Sequence, residues 1–341
     1  ISKYASNGNI LERYKLDSNG KYHGKREEWY KTRNHYDKPV KYCSESWKHG
    51  RQYGKQTYWH KNGQLDMIVY NDDDARAGRY GEFVRFYENG KKRFYELRDR
   101  KGRLIGADKE WNQDGVLIEY FNYREGEKHG FQKKWNDEGL IMEHFNYKEG
   151  NKHGDQKEWE WDPTLFEEHI LVKHLKYENG KKHGEQKYYS SEYLGSLSKR
   201  ENYKYGNKHG VFQEIDRYGN INSQESWNDG KKHGKWFFHG YEGGGPEYER
   251  NYRYGKKHGI WIEYQEVYVD GYEGDEGVLE FIGIKEMQTW KDGKLNGVTK
   301  RWGDNCFRTE NIVMYPKLPV YNLILEENYK NGKKEGIEKK W

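Results

Sequence analysis

The sequence has little of what usually builds a globular core. Only 33% of its 341 residues are hydrophobic, 34% are charged, and the mean hydropathy is −1.36. Such a balance usually indicates poor core formation or disorder. No window approaches the roughly 18 consecutive apolar residues of a membrane-spanning helix, and residues 1–14 lack the basic and then apolar plan of a signal peptide. We therefore expect neither a membrane span nor a deep core.

Cysteine is nearly absent. Cys43 and Cys306 are the only two, and they are far apart in the chain. An extracellular protein of this type would more often be stapled by disulfide bonds. The sequence therefore predicts an intracellular, cytoplasmic setting, by default rather than from any targeting motif.

Signatures of catalysis and of cofactor binding are also missing. The chain contains no phosphate-binding loop, no dinucleotide-binding glycine motif, no His-Glu-x-x-His motif and no clustered cysteine pattern. We therefore predict that the protein is not an enzyme. We expect no catalytic residues, no cofactor and no metal site.

Glycine, in contrast, is abundant and regularly placed. Gly126-Glu127-Lys128-His129-Gly130 is followed five positions later by Trp135, and this phrase returns down nearly the whole chain. The shortest period is about two dozen residues, which is typical of repeat architectures. The second glycine of each unit, called the marker here, stands at Gly24, Gly54, Gly81, Gly106, Gly130, Gly154, Gly184, Gly210, Gly234, Gly259, Gly297 and Gly336.

Five positions after the marker an aromatic residue usually follows. Aromatic residues make up 17% of the chain. Their rings bury a large area, and a thin sheet held by neighbouring rings would reconcile this content with the low hydrophobicity. The predicted structural aromatic ladder is Trp29, Trp59, Phe86, Trp111, Trp135, Trp159, Tyr189, Tyr264, Trp302 and Trp341.

Each unit has the pattern of a β-hairpin. The stretch 132–150 alternates twice between a strand-forming run and a turn-forming run. Glycine permits positive φ in a turn and leaves room beside a ring in a strand, so we assign the first glycine to a turn and the marker to a seat for an aromatic ring. One side of the second strand, which we expect to be the interior, carries Ile141, Glu143, Phe145 and Tyr147.

The unit Tyr177-Glu178-Asn179-Gly180-Lys181-Lys182-His183-Gly184-Glu185-Gln186-Lys187-Tyr188-Tyr189 resembles a MORN repeat. It is most similar to the variant form of bacterial antitoxin-like proteins and of repeat families in large DNA viruses. The resemblance covers about residues 4–341 and depends on the repetition. It implies a hairpin array for binding or scaffolding. We thus predict an all-β fold, an elongated open antiparallel sheet of about twelve stacked hairpins that forms a single-layer twisted ribbon.

We predict one continuous array over residues 1–341. Both ends resemble half-repeats and residue 1 is not Met, so we expect the chain to be an excerpt of a longer array. Long surface loops often contact partners, but they are also tolerated at little entropic cost, and both interpretations stay open. Insertions lengthen the units at about 31–46, 160–176, 265–288 and 303–328.

Histidine and lysine collect beside the markers. Two strands per unit, about 4.8 Å apart, separate equivalent residues by roughly 10 Å. Histidines such as His129 and His153 are then too far apart to share a zinc ion with bonds of about 2 Å, and we expect them to be structural. The lysines form a candidate basic rim of Lys91, Lys92, Lys128, Lys152, Lys181, Lys182, Lys208, Lys231, Lys232, Lys256 and Lys257.

The basic rim has two interpretations. It could attract nucleic acid or an anionic membrane surface. However, the net charge is only +5, and acidic residues such as Glu125 and Glu149 interrupt the rim. A solvated rim that keeps the sheet soluble is therefore favoured, nucleic acid is an unlikely partner, and membrane binding is a weak alternative.

These observations predict a non-enzymatic repeat scaffold that mediates interactions with unidentified protein partners. The first alternative is a structural component of a large assembly such as a virion, which would also be an alternative location and would include self-assembly. The second is an antitoxin-like neutraliser of a protein toxin, and the third is an anionic membrane-surface binder that uses the basic rim.

Overall fold

A computed structural model describes residues 1–32, 36–71, 79–161, 169–240, 245–269, 279–303 and 323–341 of the protein. Over these ranges the chain is all-β, and its 32 strands form an open antiparallel sheet of hairpins, as predicted. The same ranges contain no helix that is long and apolar enough to cross a membrane. Part of each of the four predicted insertions, and Cys306, lie outside the described residues. The chain divides into two compact units, each described by itself below.

Unit 1 comprises Ile1–Leu171 and Tyr177–Gly180. Its longer strands pair with their neighbours along the chain. The strands are β1 (Ser2–Tyr4), β2 (Ile10–Arg13), β3 (Gly24–Trp29), β4 (Lys41–Lys48), β5 (Arg51–Gln52), β6 (Gly54–Trp59), β7 (Leu65–Asn71), β8 (Arg79–Phe86), β9 (Lys92–Arg98), β10 (Gly106–Trp111), β11 (Leu117–Arg124), β12 (Glu127–Lys128), β13 (Gly130–Trp135), β14 (Ile141–Lys148), β15 (Asn151–Trp161) and both ends of β16 (His169–Glu178).

Unit 2 comprises Val172–Lys176, which is the middle of β16, and Lys181–Trp341. Its longer strands also pair in chain order. They are β17 (Lys181–Lys182), β18 (Gly184–Ser190), β19 (Ser196–Lys204), β20 (Asn207–Lys208), β21 (Gly210–Ile215), β22 (Ile221–Asn228), β23 (Lys231–Lys232), β24 (Gly234–His239), β25 (Pro246–Arg253), β26 (Lys256–Lys257), β27 (Gly259–Val269), β28 (Leu279–Lys291), β29 (Lys294–Trp302), β30 (Leu323–Lys330), β31 (Lys333–Lys334) and β32 (Lys339–Lys340).

Tight turns join consecutive hairpins. At the turn before β12, Glu125 and Gly126 have φ values of 55° and 92°. Two successive positive φ values are the signature of a type I′ turn, whose twist matches that of the flanking strands. The first glycine of the phrase is therefore a turn residue, as predicted. In the next turn the Gly150 amide donates to the Lys128 carbonyl at 2.9 Å, which ties one hairpin to the next.

The marker glycine combines two roles. Gly130 lies directly opposite Tyr147 in the antiparallel register. Its φ is also positive, at 75°, a conformation that strains residues with a β-carbon. Just before it, the His129 amide donates to the Asn122 carbonyl. The marker thus stands at a local change of backbone direction between β12 and β13.

A β-bulge occupies the predicted ladder position. Lys134 lies opposite Glu143, but Trp135 lies opposite Ile141, so Met142 is an extra residue. A bulge re-aims the side chain beside it. Trp135 is accordingly half-buried and not part of the most buried column, and Trp341 is 65% exposed. The same register shift immediately precedes Trp29, Trp59, Phe86, Trp111, Tyr189, Tyr264 and Trp302.

Five of the six largest fully buried side chains stand two residues after a marker, and the sixth is Cys43. In several hairpins the residue two after the marker is glutamine, with an exposed fraction of 0–2% at Gln56, Gln132, Gln156 and Gln186. In unit 2 the same position is also filled by Phe212, Trp236 and Trp261, which are 5–7% exposed. The interior column is therefore partly polar, which explains how a chain of such low hydrophobicity keeps an ordered sheet.

Candidate binding face

One side of the sheet carries both the buried column and the aromatic residues opposite the markers. In β13 and β14 these are Gln132, its cross-strand partner Phe145, and Tyr147, which lies opposite Gly130. Alternate residues of a strand share a side, so these positions lie on one face in every hairpin. We call this side the aromatic face. It includes the predicted interior residues Glu143, Phe145 and Tyr147.

The buried glutamines hold the backbone where the marker interrupts the strand. Gln132 accepts a hydrogen bond from the Asn122 amide at 3.2 Å through Oε1, and its Nε2 donates to the Asn122 carbonyl at 2.9 Å. Gln186 repeats both contacts with Lys176, at 3.1 and 2.9 Å. A buried backbone group without a partner is costly, so a side chain with both a donor and an acceptor suits this position.

Tryptophan replaces the glutamine donor in part of unit 2. The indole nitrogens of Trp236 and Trp261 donate to the carbonyls of Ser226 and Asn251, both at 2.8 Å. These carbonyls are equivalent to that of Asn122 in unit 1. The replacement keeps one hydrogen bond and adds a large ring to the aromatic face. The indole N–H of a buried tryptophan usually has a hydrogen-bond partner, as it does here.

Lysine side chains lie between the rings of the aromatic face. In unit 1 the Lys128 ammonium is 4.7 Å from the ring centroid of Phe121 and 5.5 Å from that of Tyr147. Lys152 is 4.8 Å from Phe145 and 5.4 Å from Tyr177. These distances fall within the range of cation–π attraction. Rings and lysines thus alternate across neighbouring strands.

The alternation is closest in unit 2. Lys232 lies 4.2 Å from the Trp236 ring and 5.0 Å from that of Tyr252. Lys257 lies 4.1 Å from the Trp261 ring and 4.2 Å from that of Trp290. Lys208 likewise lies between two rings. We call the lysines two residues before the markers from Gly130 to Gly259 the row lysines, and they are Lys128, Lys152, Lys182, Lys208, Lys232 and Lys257.

The predicted basic rim is therefore divided. Lys181 and Lys182 are consecutive strand residues, so their side chains point to opposite sides of the sheet. Lys181 is exposed, whereas Lys182 is half-buried on the aromatic face. The same split separates Lys231 from Lys232 and Lys256 from Lys257. The exposed partners, together with Lys91 and Lys92, are the part of the predicted rim that lies in solvent. Six of the eleven predicted residues are row lysines.

Counter-charges are unevenly distributed along the row. Lys182 and Lys208 have glutamate partners, Glu201 at 3.4 Å and Glu225 at 3.5 Å. Within the described ranges, no carboxylate lies at ion-pair distance from the other four row lysines. Burial, together with the nearby Arg250 guanidinium, lowers the pKa of Lys257. The row therefore holds positive charges that have rings but no anion beside them.

A cleft of about 320 Å³ opens on the aromatic face of unit 2. Apolar rings and charges of both signs line it, as in many sites that hold a polar side chain. The nearest row lysine, Lys208, forms one wall. The other residues of the aromatic face that line it include Lys199, Glu201, Phe212, Glu214, Ser223, Glu225, Phe238 and Tyr248.

Several histidines before the markers contact the backbone of the following turn. The Nδ1 atom of His129 accepts a hydrogen bond from the Glu149 amide in the following turn, at 3.5 Å. His183 and His233 make the same contact with Tyr205 and Tyr254, and each ring also packs on that tyrosine, with centroids 4.5 and 4.7 Å apart. Each histidine thus links its hairpin to the next one.

The described chain is an open sheet of repeated β-hairpins, and comparison with known proteins adds little to this description. No protein-family model matches the chain, and no curated protein matches it, so membership of the MORN family stays a prediction. Matching solved structures include the TcdB2–TccC3–TEV crystal structure, at 11% identity and a TM-score of 0.15 over 94% of this chain. Another is the Photorhabdus luminescens Tc holotoxin pore, at 12% identity and a TM-score of 0.17 over 95%.

A third match is the TcdB2–TccC3 crystal structure without its hypervariable C-terminal region, at 10% identity and a TM-score of 0.15 over 96% of this chain. The chain spans 20%, 16% and 22% of these three solved chains. With TM-scores this low, we draw no functional argument from them.

Proposed function

We propose that the protein is a non-enzymatic binding scaffold whose aromatic face takes up an acidic segment of a partner protein. The observation that carries the proposal is the alternation of rings and unpaired lysines in register along neighbouring strands. Lys232 and Lys257 each lie between two rings and have no carboxylate at ion-pair distance in the described chain. A partner carboxylate would supply the missing counter-charge in a partly desolvated position, where such a pair is worth more than at an open surface.

The spacing of the row favours an extended polypeptide. Row lysines of successive hairpins are separated by two strands, or about 10 Å. In an extended peptide, residues three apart span about the same distance, since each contributes about 3.3 Å. A segment with an acidic residue at every third position could thus contact consecutive row lysines. Its intervening side chains would lie against the rings.

Glutamates on the same face argue against a polyphosphate. Glu214, Glu225 and Glu263 lie on the aromatic face of unit 2 and would repel a continuous line of phosphates. A peptide can place its carboxylates over the lysines and leave neutral residues over the glutamates. Neither nucleic acid nor an anionic membrane surface offers that choice of pattern, because both present negative charge throughout.

The test compares adjacent lysines with the same formal charge. The probe is a synthetic peptide with glutamate at every third position and tyrosine between, and a second peptide has glutamine for glutamate. Binding is followed by tryptophan fluorescence of the full chain, since Trp236, Trp261 and Trp290 adjoin the row. The variants are Lys232→Gln/Lys257→Gln in the row and Lys231→Gln/Lys256→Gln as the matched control.

We expect the row variant to bind the acidic peptide about tenfold or more weakly, which is about 1.4 kcal/mol, and the control variant to bind within about threefold of wild type. The peptide with glutamine in place of glutamate should bind neither the row variant nor the control variant. Equal losses in the two variants would show that only net charge is sensed. Row-dependent binding of single-stranded RNA or of phosphatidylserine vesicles, without peptide binding, would also contradict the proposal.

A further inference from the structure

We propose that Asp17, His23 and His49 bind one divalent metal ion of the Zn²⁺ type. One oxygen or nitrogen from each of the three side chains lies within 4.8 Å of the others. His49 Nδ1 is already 2.8 Å from an Asp17 carboxylate oxygen, and the His23 and His49 rings have centroids 4.8 Å apart. Nothing in the proposed binding of an acidic segment requires these residues.

The fold fixes the carboxylate of this cluster. Asp17 begins a turn in which its Oδ1 accepts hydrogen bonds from the amides of Asn19 and Lys21, at 2.9 and 3.0 Å. Its Oδ2 is thereby directed at His49. One carboxylate oxygen is thus held by the turn and the other lies in a fixed direction beside His49.

Two different turns bring the histidines together. His23 is the residue before the marker Gly24, and its amide donates to the Lys15 carbonyl at 3.0 Å. His49 occupies the positive-φ position of the next turn, with φ of 49°. The Gly50 amide donates to the Tyr22 carbonyl at 2.8 Å and fixes this turn beside the first hairpin.

Equivalent places elsewhere do not assemble three donors. His209 lies 3.1 Å from Asp229 and His258 lies 3.4 Å from Asp292, which gives two donors at each position. Among the described residues, the cluster at Asp17 is the one group of three or more such side chains. The donors come from one histidine before a marker and a second histidine in the following turn.

A second turn shows what an alternative sequence puts in this place. Asp99 begins a turn of the same kind, with its Oδ1 bound to the amides of Lys101 and Arg103. There the Arg103 guanidinium contacts both Asp99, at 2.7 Å, and Glu125 in the following turn, at 3.4 Å. A fixed cation thus occupies the position between the turn aspartate and the next turn. At Asp17 the equivalent residue is Lys21, whose ammonium makes no ion pair with Asp17 among the described residues, and two imidazoles lie beside the carboxylate instead.

The donor set suits zinc. Two imidazoles and a carboxylate are common Zn²⁺ ligands, with bonds of about 2.0–2.2 Å. Tetrahedral ligands at such bond lengths lie about 3.3 Å apart, so the observed cluster closes around an ion by small side-chain rotations. Both histidines are exposed, which allows this movement and leaves a fourth position open to water.

The experiment measures Zn²⁺ binding to the metal-free full chain by isothermal titration calorimetry, with Co²⁺ absorption as a second readout of coordination. Asp17→Asn keeps an oxygen for the turn and removes the charge, and His49→Asn suits a positive φ. His23→Gln removes the third ligand. His209→Gln is the control, because it removes a histidine of a two-donor pair. Far-UV circular dichroism verifies that each variant is folded.

We expect one saturable Zn²⁺ site per wild-type chain and a Co²⁺ spectrum of the intensity typical of tetrahedral coordination. Each of the three ligand variants should bind Zn²⁺ about tenfold or more weakly, and His209→Gln should bind as wild type does. The proposal is overturned if wild type has no one-to-one site. Unchanged binding by folded ligand variants, or an equal loss in His209→Gln, overturns it as well.

Discussion

Gln132 is predicted to stabilise the sheet more than its polar side chain suggests. It is 2% exposed, and its amide bonds both the N–H and the C=O of Asn122. In Gln132→Ala the Asn122 N–H loses its partner in a buried place, whereas the Asn122 carbonyl keeps the hydrogen bond from the His129 amide. One such loss costs about 1–3 kcal/mol, so we expect the free energy of unfolding to fall by about 1–3 kcal/mol.

The assay combines urea unfolding with hydrogen exchange of the Asn122 amide. Because two units need not unfold together, the local exchange rate is the more direct measure. Gln132→Glu is the isosteric variant: at neutral pH its carboxylate cannot donate to the Asn122 carbonyl, and when protonated at low pH it can. Its loss of stability should therefore shrink as the pH falls.

Gln213→Ala is the matched control, since the Gln213 amide bonds only the side chain of Gln224, at 2.8 Å. It should cost no more than about 1 kcal/mol. If Gln132→Ala cost as little as this control, and Asn122 exchanged at its wild-type rate, the reasoning about the buried column would be refuted.

Two further predictions concern titratable groups. Burial, followed by the carboxylates of Glu96, Glu119 and Glu110, raises the pKa of Asp108 to about 6 from 3.8. The folded state then binds the proton more tightly than the unfolded state, so the free energy of unfolding falls as the pH rises from about 4 to 6. In urea titrations at pH 7, Asp108→Asn should be more stable than wild type by about 1–2 kcal/mol, a value reduced for the partial exposure of Asp108. This gain should vanish near pH 4. Cys43 is 1% exposed, and burial raises the pKa of its thiol to about 12. In a Cys306→Ser variant, which leaves Cys43 as the one cysteine, Ellman's reagent should therefore not react until the chain is unfolded. Rapid labelling of the native variant would contradict this burial.

Much of the fold could be predicted from the period. The regular spacing of the glycines, with turn-forming residues between aromatic runs, indicated antiparallel hairpins. This pattern is visible because a turn at positive φ requires glycine at that position in the sequence. The bulge before Trp135 could not be predicted in this way. Strict alternation assumes no extra residue, and Met142 changes the register by one.

The polar interior was missed because glutamine is usually exposed. Gln132 is buried only because the backbone of a neighbouring strand, ten residues earlier, offers both a donor and an acceptor. The division of the predicted basic rim between the two sides of the sheet, by contrast, could have been predicted from the sequence. Lys128, Gly130 and Gln132 are two residues apart, and parity counted from the marker assigns the lysine to the aromatic face and its predecessor to the other side.

The cluster of Asp17, His23 and His49 had no signal in the period. Its members come from three turns or turn exits, and their proximity depends on how one hairpin lies against the next. A pattern that is read one unit at a time does not reveal such a contact. A position that requires glycine at positive φ can be recognised from the sequence. A contact between side chains of different hairpins can be predicted only when the pairing register of their strands is known.

The central claim, that an acidic segment lies on the aromatic face, is tested most directly by the chemical reactivity of adjacent lysines. The full chain is acetylated with and without a saturating acidic peptide, and each lysine is quantified by mass spectrometry. The account predicts that Lys232 and Lys257 become protected while Lys231 and Lys256 keep their reactivity. Equal protection within each pair, or protection of Lys231 and Lys256 alone, would contradict it.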